Sequence, residues 1–385
     1  MPSPSILVPR RRFLQCAAAT GLLAAAPGLL LAKAATTRRF VFVIQRGGAD
    51  GLETVVPYAD PAYARLRGAI ALDPAALAPV DGLFGLHPAL VETARLHAAK
   101  EALFVHAVAS PYRDRSHFDG QNVLETGGAT PYARKDGWLN RLVGLLPGSG
   151  EAIAITPTVP LALRGPAKAG SHAPSALPQA PDDLMQSVRQ MYAQDAQLHA
   201  LWSAAMESRG MAGAPVKQNP AELGALAARF LAQPAGPRIA MLETGGWDTH
   251  SFQPTRHANQ LKSLDAMLAA LREGMGAAWA DTVVLVATEF GRTAAVNGTG
   301  GTDHGTASVA MLLGGAVDGG RVLGDWPGLA PQALYEGRDL QPTTALDGLI
   351  AAAAGECFGI EPALVERTLF QQGAAGKPLP RLLRG

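Results

Sequence analysis

Phe40-Val41-Phe42-Val43-Ile44 is an unbroken apolar run, entered through Arg38-Arg39 and left through Gly47-Gly48. A run without polar alternation suits a strand covered on both faces, as in a parallel sheet. The same reading applies to residues 103–108 (LFVHAV), 239–242 (IAML), 283–287 (VVLVA) and 309–313 (VAMLL), and more weakly to 152–155 (AIAI). Between these runs the apolar spacing turns helical. Residues 88–98 place Leu90, Ala94 and Leu96 near one face, and residues 261–275 repeat Leu261, Leu264, Met267, Leu268 and Leu271. Strands alternating with helices predict the α/β class: a doubly wound, mostly parallel sheet flanked by helices. Ligands of such sheets bind at the carboxyl ends of the strands.

Composition narrows the class of protein. The 385 residues carry 33 Lys+Arg against 32 Asp+Glu, and 48% are apolar. That is enough for a large core and too much for a disordered chain. The near-neutral balance lacks the basic footprint of a nucleic-acid binder, so no nucleic acid is expected as partner. With 43 Gly and 29 Pro, long ordered loops are expected.

Residues 1–35 read as a leader. Arg10-Arg11-Arg12 precedes Phe13-Leu14 and an Ala/Leu run, and Ala32-Lys33-Ala34 is a small-x-small cleavage site. The paired arginines resemble a twin-arginine signal peptide. Gly21, Pro27 and Gly28 interrupt the apolar run, which is short for a membrane span. Export to the periplasm or beyond is expected, with the twin-arginine machinery as partner and no membrane span after cleavage. Cleavage removes Cys16 and leaves Cys357 alone, so no disulfide framework is expected. Residues 36–385 then form a single α/β domain. Residues 157–236 differ in texture: Pro and Gly punctuate 157–181, a long helix is expected over 182–208 and a shorter one over 220–232. They read as a helical insertion or cap beside the active face.

Polar clusters follow the strands. Arg46-Gly-Gly-Ala-Asp50-Gly comes after the first, where Asp50 suits either an Asx-turn or a site carboxylate. Ser116-His117-Phe-Asp opens a helix, with Ser116 as N-cap or as a nucleophile at a positive dipole end. Asp248 and His250, two apart in an extended segment, project to one side and can share a cation. Glu289 and Arg292 follow the strand at 283–287, and Asp303-His304 precede the last apolar run. Carboxylates gathered in one crevice repel unless a cation or arginine neutralises them, which favours a metal site.

These motifs in this order resemble a bacterial family of twin-arginine-exported proteins, domain-of-unknown-function family 1501. The resemblance rests on Arg46-Gly-Gly-Ala-Asp-Gly, Ser116-His-Phe, Gly246-Trp-Asp-Thr-His, Thr288-Glu-Phe-Gly-Arg-Thr, Gly301-Thr-Asp-His-Gly and Asp325-Trp-Pro-Gly-Leu. The family is similar in fold to the alkaline phosphatase and sulfatase superfamily. That resemblance implies that Asp50 and Ser116 face the metal, that Asp248 and His250 share one ion, and that His304 matches a final histidine ligand. Where the superfamily has Asp-His after a strand, this chain has Glu289-Phe290, with Asp303 as a compensating ligand.

The expected metal set is therefore Asp50, Asp248, His250, Glu289, Asp303 and His304, holding one or two divalent ions. Mixed oxygen and imidazole donors suit zinc or manganese. Ser116, His117, Arg46 and Arg292 form the expected catalytic set, with Arg115 a further candidate for stabilising charge. His117 reads equally as a general acid or an outer ligand. The function expected is an exported, metal-dependent hydrolase of small or polymeric phosphate or sulfate esters. The alternatives are a non-catalytic periplasmic binding or assembly protein with a structural metal, and a maturation partner of another exported protein.

Overall fold

The computed structural model describes residues 36–146, 151–174, 182–212, 218–370 and 379–385. The leader expected at 1–35 lies outside the described residues. The chain forms strands β1 (Arg39–Gln45), β2 (Val55–Val56), β3 (Ala78–Pro79), β4 (Gly85–Leu86), β5 (Ala102–Ala109) and β6 (Ala152–Ala154). It continues with β7 (Ala169–Ser171), β8 (Ile239–Thr244), β9 (Thr282–Thr288), β10 (Ser308–Leu313), β11 (Arg321–Leu323) and β12 (Thr344–Ala345). The main sheet runs β11-β5-β10-β9-β1-β8-β6-β7, with β12 also on β5. Every pairing in it is parallel except the two made by β10. The architecture is thus a mostly parallel α/β sheet with helices on both faces, as the apolar runs predict. β2, β3 and β4 form a separate small sheet.

The apolar run of β1 explains its central place. Phe40, Phe42 and Ile44 point into one core with Trp138, Leu139 and Leu142 of helix Trp138–Leu145 and with helix Leu346–Phe358. Val41 and Val43 point into the opposite core, against helices Pro220–Leu231 and Gln253–Met275. All five side chains are fully buried, each such burial being worth about 1.5–3 kcal/mol. The Phe42 and Trp138 rings meet edge to face, 5.1 Å between centroids, which adds roughly 0.5–1.5 kcal/mol.

Two expectations for the middle of the chain are revised. The helix expected over 182–208 is two helices, Asp182–Tyr192 and Ala196–Ala212. The break falls at Asp195, whose carboxylate accepts from the amides of Gln197 and Leu198, both at 2.9 Å, in place of a continuing helix. The segment 157–236 is also more than a cap. It adds β7 to the sheet edge and buries Leu226, Ala227, Phe230 and Leu231 in the core. Among the described residues no helix is long and apolar enough to cross a membrane.

Candidate functional site

One edge of the sheet collects the chemistry. The carboxyl ends of β1, β5, β8 and β9 meet there, and the amino end of β10 joins them because that strand runs the other way. His304, although it precedes its strand, therefore reaches the same edge as residues that follow theirs.

Glycine permits two of the close approaches. Gly47, after β1, has φ +121°, and a Cβ there would lie 2.7 Å from the Asp248 amide nitrogen. The turn 46–48 can thus pack directly on the loop carrying Asp248. Gly305 lets the segment before β10 press on Arg292, since a Cβ would sit 2.3 Å from the Arg292 carbonyl carbon. Arg292 and His304 are joined there in an antiparallel bridge.

Three imidazoles and one carboxylate converge. His304 Nε2 lies 3.0 Å from His117 Nε2 and 3.0 Å from His250 Nε2. Asp248 Oδ1 is 2.9 Å from His250 Nε2 and 3.2 Å from His304 Nε2, and its Oδ2 is 3.5 Å from His117 Nε2. His117, Asp248 and His304 make a metal-compatible group on their own. Donors around a tetrahedral first-row ion bound at about 2.0–2.1 Å stand roughly 3.3 Å apart, close to these separations.

Each imidazole is fixed from behind. His117 Nδ1 lies 2.9 Å from Glu289 Oε1, His250 Nδ1 3.0 Å from Asp303 Oδ1, and His304 Nδ1 2.9 Å from the Arg115 carbonyl. Burial alone would raise the Glu289 carboxyl, but bonds from His117, Gln121 and the Gly47 amide hold it below its ordinary value. The Asn297 amide, followed by His250, does the same for Asp303. Ionised carboxylates and a carbonyl only accept hydrogen bonds, so every Nδ1 must donate. In the neutral rings the Nε2 lone pairs then face one another and the Asp248 carboxylate. Burial lowers the His304 pKa, with the nearby His117 charge adding to it, which keeps that ring neutral. Such convergence of lone pairs is the donor arrangement of a cation site.

The charges agree. Desolvation opposes ionisation of Asp248, but the Arg292 guanidinium, 2.7 Å from its Oδ1, pulls its pKa down. Arg292 is itself wholly buried and also donates to the Thr302 carbonyl. Arg292 offsets one of the three carboxylates Asp248, Glu289 and Asp303 around the rings, leaving two net negative charges for a divalent ion. The bond from Glu289, against desolvation, raises the His117 pKa.

The structure departs from the expected set at Asp50. Its carboxylate is fully buried and clamped by Arg67 at 2.5 and 2.8 Å, with Gln253 donating at 2.7 Å. It also caps helix Gly51–Thr54. A carboxylate so satisfied has no lone pair turned to the imidazoles, and Asp50 is not among the converging donors. Glu289 and Asp303 stand behind the rings rather than among the Nε2 atoms. Arg46 is taken up by Glu125, Glu243 and Gln121 at 2.8–3.0 Å. Ser116 is the residue before helix His117–Thr126, and its hydroxyl makes no cap bond.

A second buried network joins Asp50 to this cluster. Gln253 donates to Asp50 and Glu53 and accepts from Thr249 and Thr302, and Thr302 Oγ1 in turn accepts from Arg292. Arg67, Glu53 and Gln253 carry no motif, and no signal in the sequence marks them out for this role.

No curated protein matches the sequence. Among solved structures, Ps i-CgsB in complex with k-i-k-neocarrahexaose is similar at 10% identity, covering 85% of this chain and 73% of that one, with a TM-score of 0.44. PsFucS1 sulfatase from Pseudoalteromonas sp. is similar at 14% identity, covering 96% and 75%, with a TM-score of 0.37. A protein in the alkaline phosphatase superfamily from Vibrio parahaemolyticus is similar at 12% identity, covering 73% and 60%, with a TM-score of 0.37. The sequence itself gives the stronger assignment: residues 37–369 match one family model, and the chain belongs to the family described as Protein of unknown function (DUF1501).

Proposed function

We propose that this chain is an exported, metal-dependent hydrolase of phosphate or sulfate esters, with His117, Asp248, His250 and His304 holding one divalent ion. The convergence of three Nε2 lone pairs on a carboxylate carries this reading. Zinc or manganese suits the donors. A bound ion of this kind supplies Lewis acidity and lowers the pKa of a coordinated hydroxyl or water. Glu289, Asp303 and the Arg115 carbonyl would orient the three rings, and Arg292 would hold Asp248 ionised. Ser116, beside His117 at a helix start, is the candidate nucleophile. The side chains of Asp248 and His250 are 42% and 44% exposed, so an ester oxygen can reach the ion from solvent. The reading includes twin-arginine export to the periplasm or beyond, on the strength of the arginine-led leader sequence.

One observation favours a second reading. Four protein donors are enough to close a tetrahedral ion, as structural sites do, and Asp50 is committed to Arg67. On that reading the chain is a binding or assembly protein with a structural metal. Purified protein should carry one divalent ion per chain by elemental mass spectrometry, lost in His304→Ala. Ser116→Ala should keep the ion and abolish turnover of an aryl phosphate or aryl sulfate. Stoichiometric metal with no turnover by the wild type would leave the binding protein; metal-free folded wild type would sink both readings.

A further inference from the structure

His304 differs from its two neighbours in what stands behind it. Carboxylates back His117 and His250, but His304 Nδ1 donates to a main-chain carbonyl, that of Arg115, at 2.9 Å. A carbonyl has no freedom to swing toward its donor, so its direction must be set by the backbone around it. Arg115 has φ +60°, a left-handed conformation that glycine adopts freely and a bulky residue does not. Arginine at such a position calls for a reason, and its side chain supplies one.

Arg115 Nε and Nη2 donate to Asp339 Oδ2 at 3.0 and 2.9 Å. Asp339 is completely buried and also accepts from Thr306 Oγ1 at 2.8 Å. Its own backbone is locked in a short loop, in which Tyr335 and Asp339 exchange amide–carbonyl bonds at 2.9 and 3.0 Å. The same loop reaches His304 directly, since Arg338 Nη2 donates to the His304 carbonyl at 2.7 Å. Loop 335–339 therefore grips His304 twice: at its main chain through Arg338, and at its ring through Asp339 and Arg115. No motif in the sequence marks this loop.

We propose that Asp339 is a positioning residue for the metal ligand His304, acting through Arg115, with loop 335–339 as a clamp that sets the direction of the His304 ring. The proposal rests on the metal-binding reading above. The partly exposed Arg115 guanidinium, paired with the buried Asp339 carboxylate and with Glu336 at 2.5 Å, holds the Arg115 backbone in its left-handed turn, and the turn aims the carbonyl. The carbonyl fixes the Nδ1–H tautomer, which leaves Nε2 free to bind. Partners of this kind are typically worth 10–100-fold in metal affinity.

The test is a cobalt(II) titration of the chelator-stripped protein, following the visible ligand-field spectrum, beside urea unfolding without metal. Wild type should take one ion, and His304→Ala should lose it. Arg115→Gly relieves the left-handed backbone while removing the anchor. It should weaken cobalt binding about 10–100-fold and alter the spectrum of the folded variant, while the stranded charge of buried Asp339 lowers the urea midpoint without metal. Asp339→Asn should weaken binding in the same direction, and Arg115→Lys should recover part of the loss. Wild-type affinity and spectrum in Arg115→Gly would overturn the clamp while leaving the metal site standing. No cobalt uptake by the wild type would overturn the metal reading, and the clamp with it.

Discussion

Glu53 is the most informative single residue to neutralise. It lies almost wholly buried beside Asp50, which already owns the Arg67 guanidinium. Burial, and then the Asp50 charge, push its carboxyl up from 4.5 to about 7. An acid whose folded pKa is raised binds a proton more tightly in the native state than in the unfolded one. Its contribution is fully present below pH 4.5 and is lost as pH rises through about 7. Each pH unit between the two values is worth about 1.36 kcal/mol, so ionised Glu53 costs the fold about 3 kcal/mol at pH 8. Glu53→Gln removes that cost and keeps the contact, because an amide oxygen can accept the Gln253 bond that Glu53 Oε2 now accepts. With an m-value of about 3 kcal/mol/M, the variant should unfold at about 1 M more urea than wild type at pH 8. Near pH 4.5 the two curves should coincide. Asp347, also raised to about 7 by burial, titrates alike in both chains and cancels in the difference. A difference that does not change with pH, or a variant less stable than wild type at pH 8, would refute the reasoning.

Two further outcomes follow from groups already described. Glu289→Gln keeps an acceptor for His117 but removes the charge that raises the His117 pKa; metal affinity, read against a competing chromophoric chelator, should fall roughly 10–100-fold. Cys357 is fully buried and its thiol is pushed well above the ordinary value by burial. In a chain beginning at residue 36, where it is the single thiol, it should react with an aromatic disulfide only as fast as the protein opens.

The sheet was readable because its evidence is local. Six apolar runs of four to six residues each became strands, and the two-sided burial of β1 is written in its lack of alternation. The break at Asp195 was missed, although Asp is a poor interior residue and a good cap. What lay beyond reach was pairing across distance. Arg67 meets Asp50 through a fold that brings residues 17 apart into a buried fork, and nothing near Asp50 distinguishes a carboxylate awaiting an arginine from one awaiting a metal. Glu289 and His117 are 172 residues apart, so their order along the chain is silent on which of them stands behind the other. The direction of β10 is equally hidden, because an apolar run has no arrow.

That reversed strand has a consequence in time. Among the described residues β10 is the one hydrogen-bonded seam between β5, with its neighbours β11 and β12, and the half of the sheet built on β9 and β1. His117 hangs from one half, Asp248 and His250 from the other, and His304 leads into the seam itself. A ribosome delivers these strands from the amino end, so β1, β5, β8 and β9 all emerge before the piece that joins them. Until residue 313 has emerged, the strand leading to His117 and the strands leading to Asp248 and His250 share no hydrogen-bonded neighbour in the sheet, and His304 is the last of the four donors to be delivered. On the reading proposed above, ion capture is therefore a late event, available to the finished sheet and closed to the nascent one.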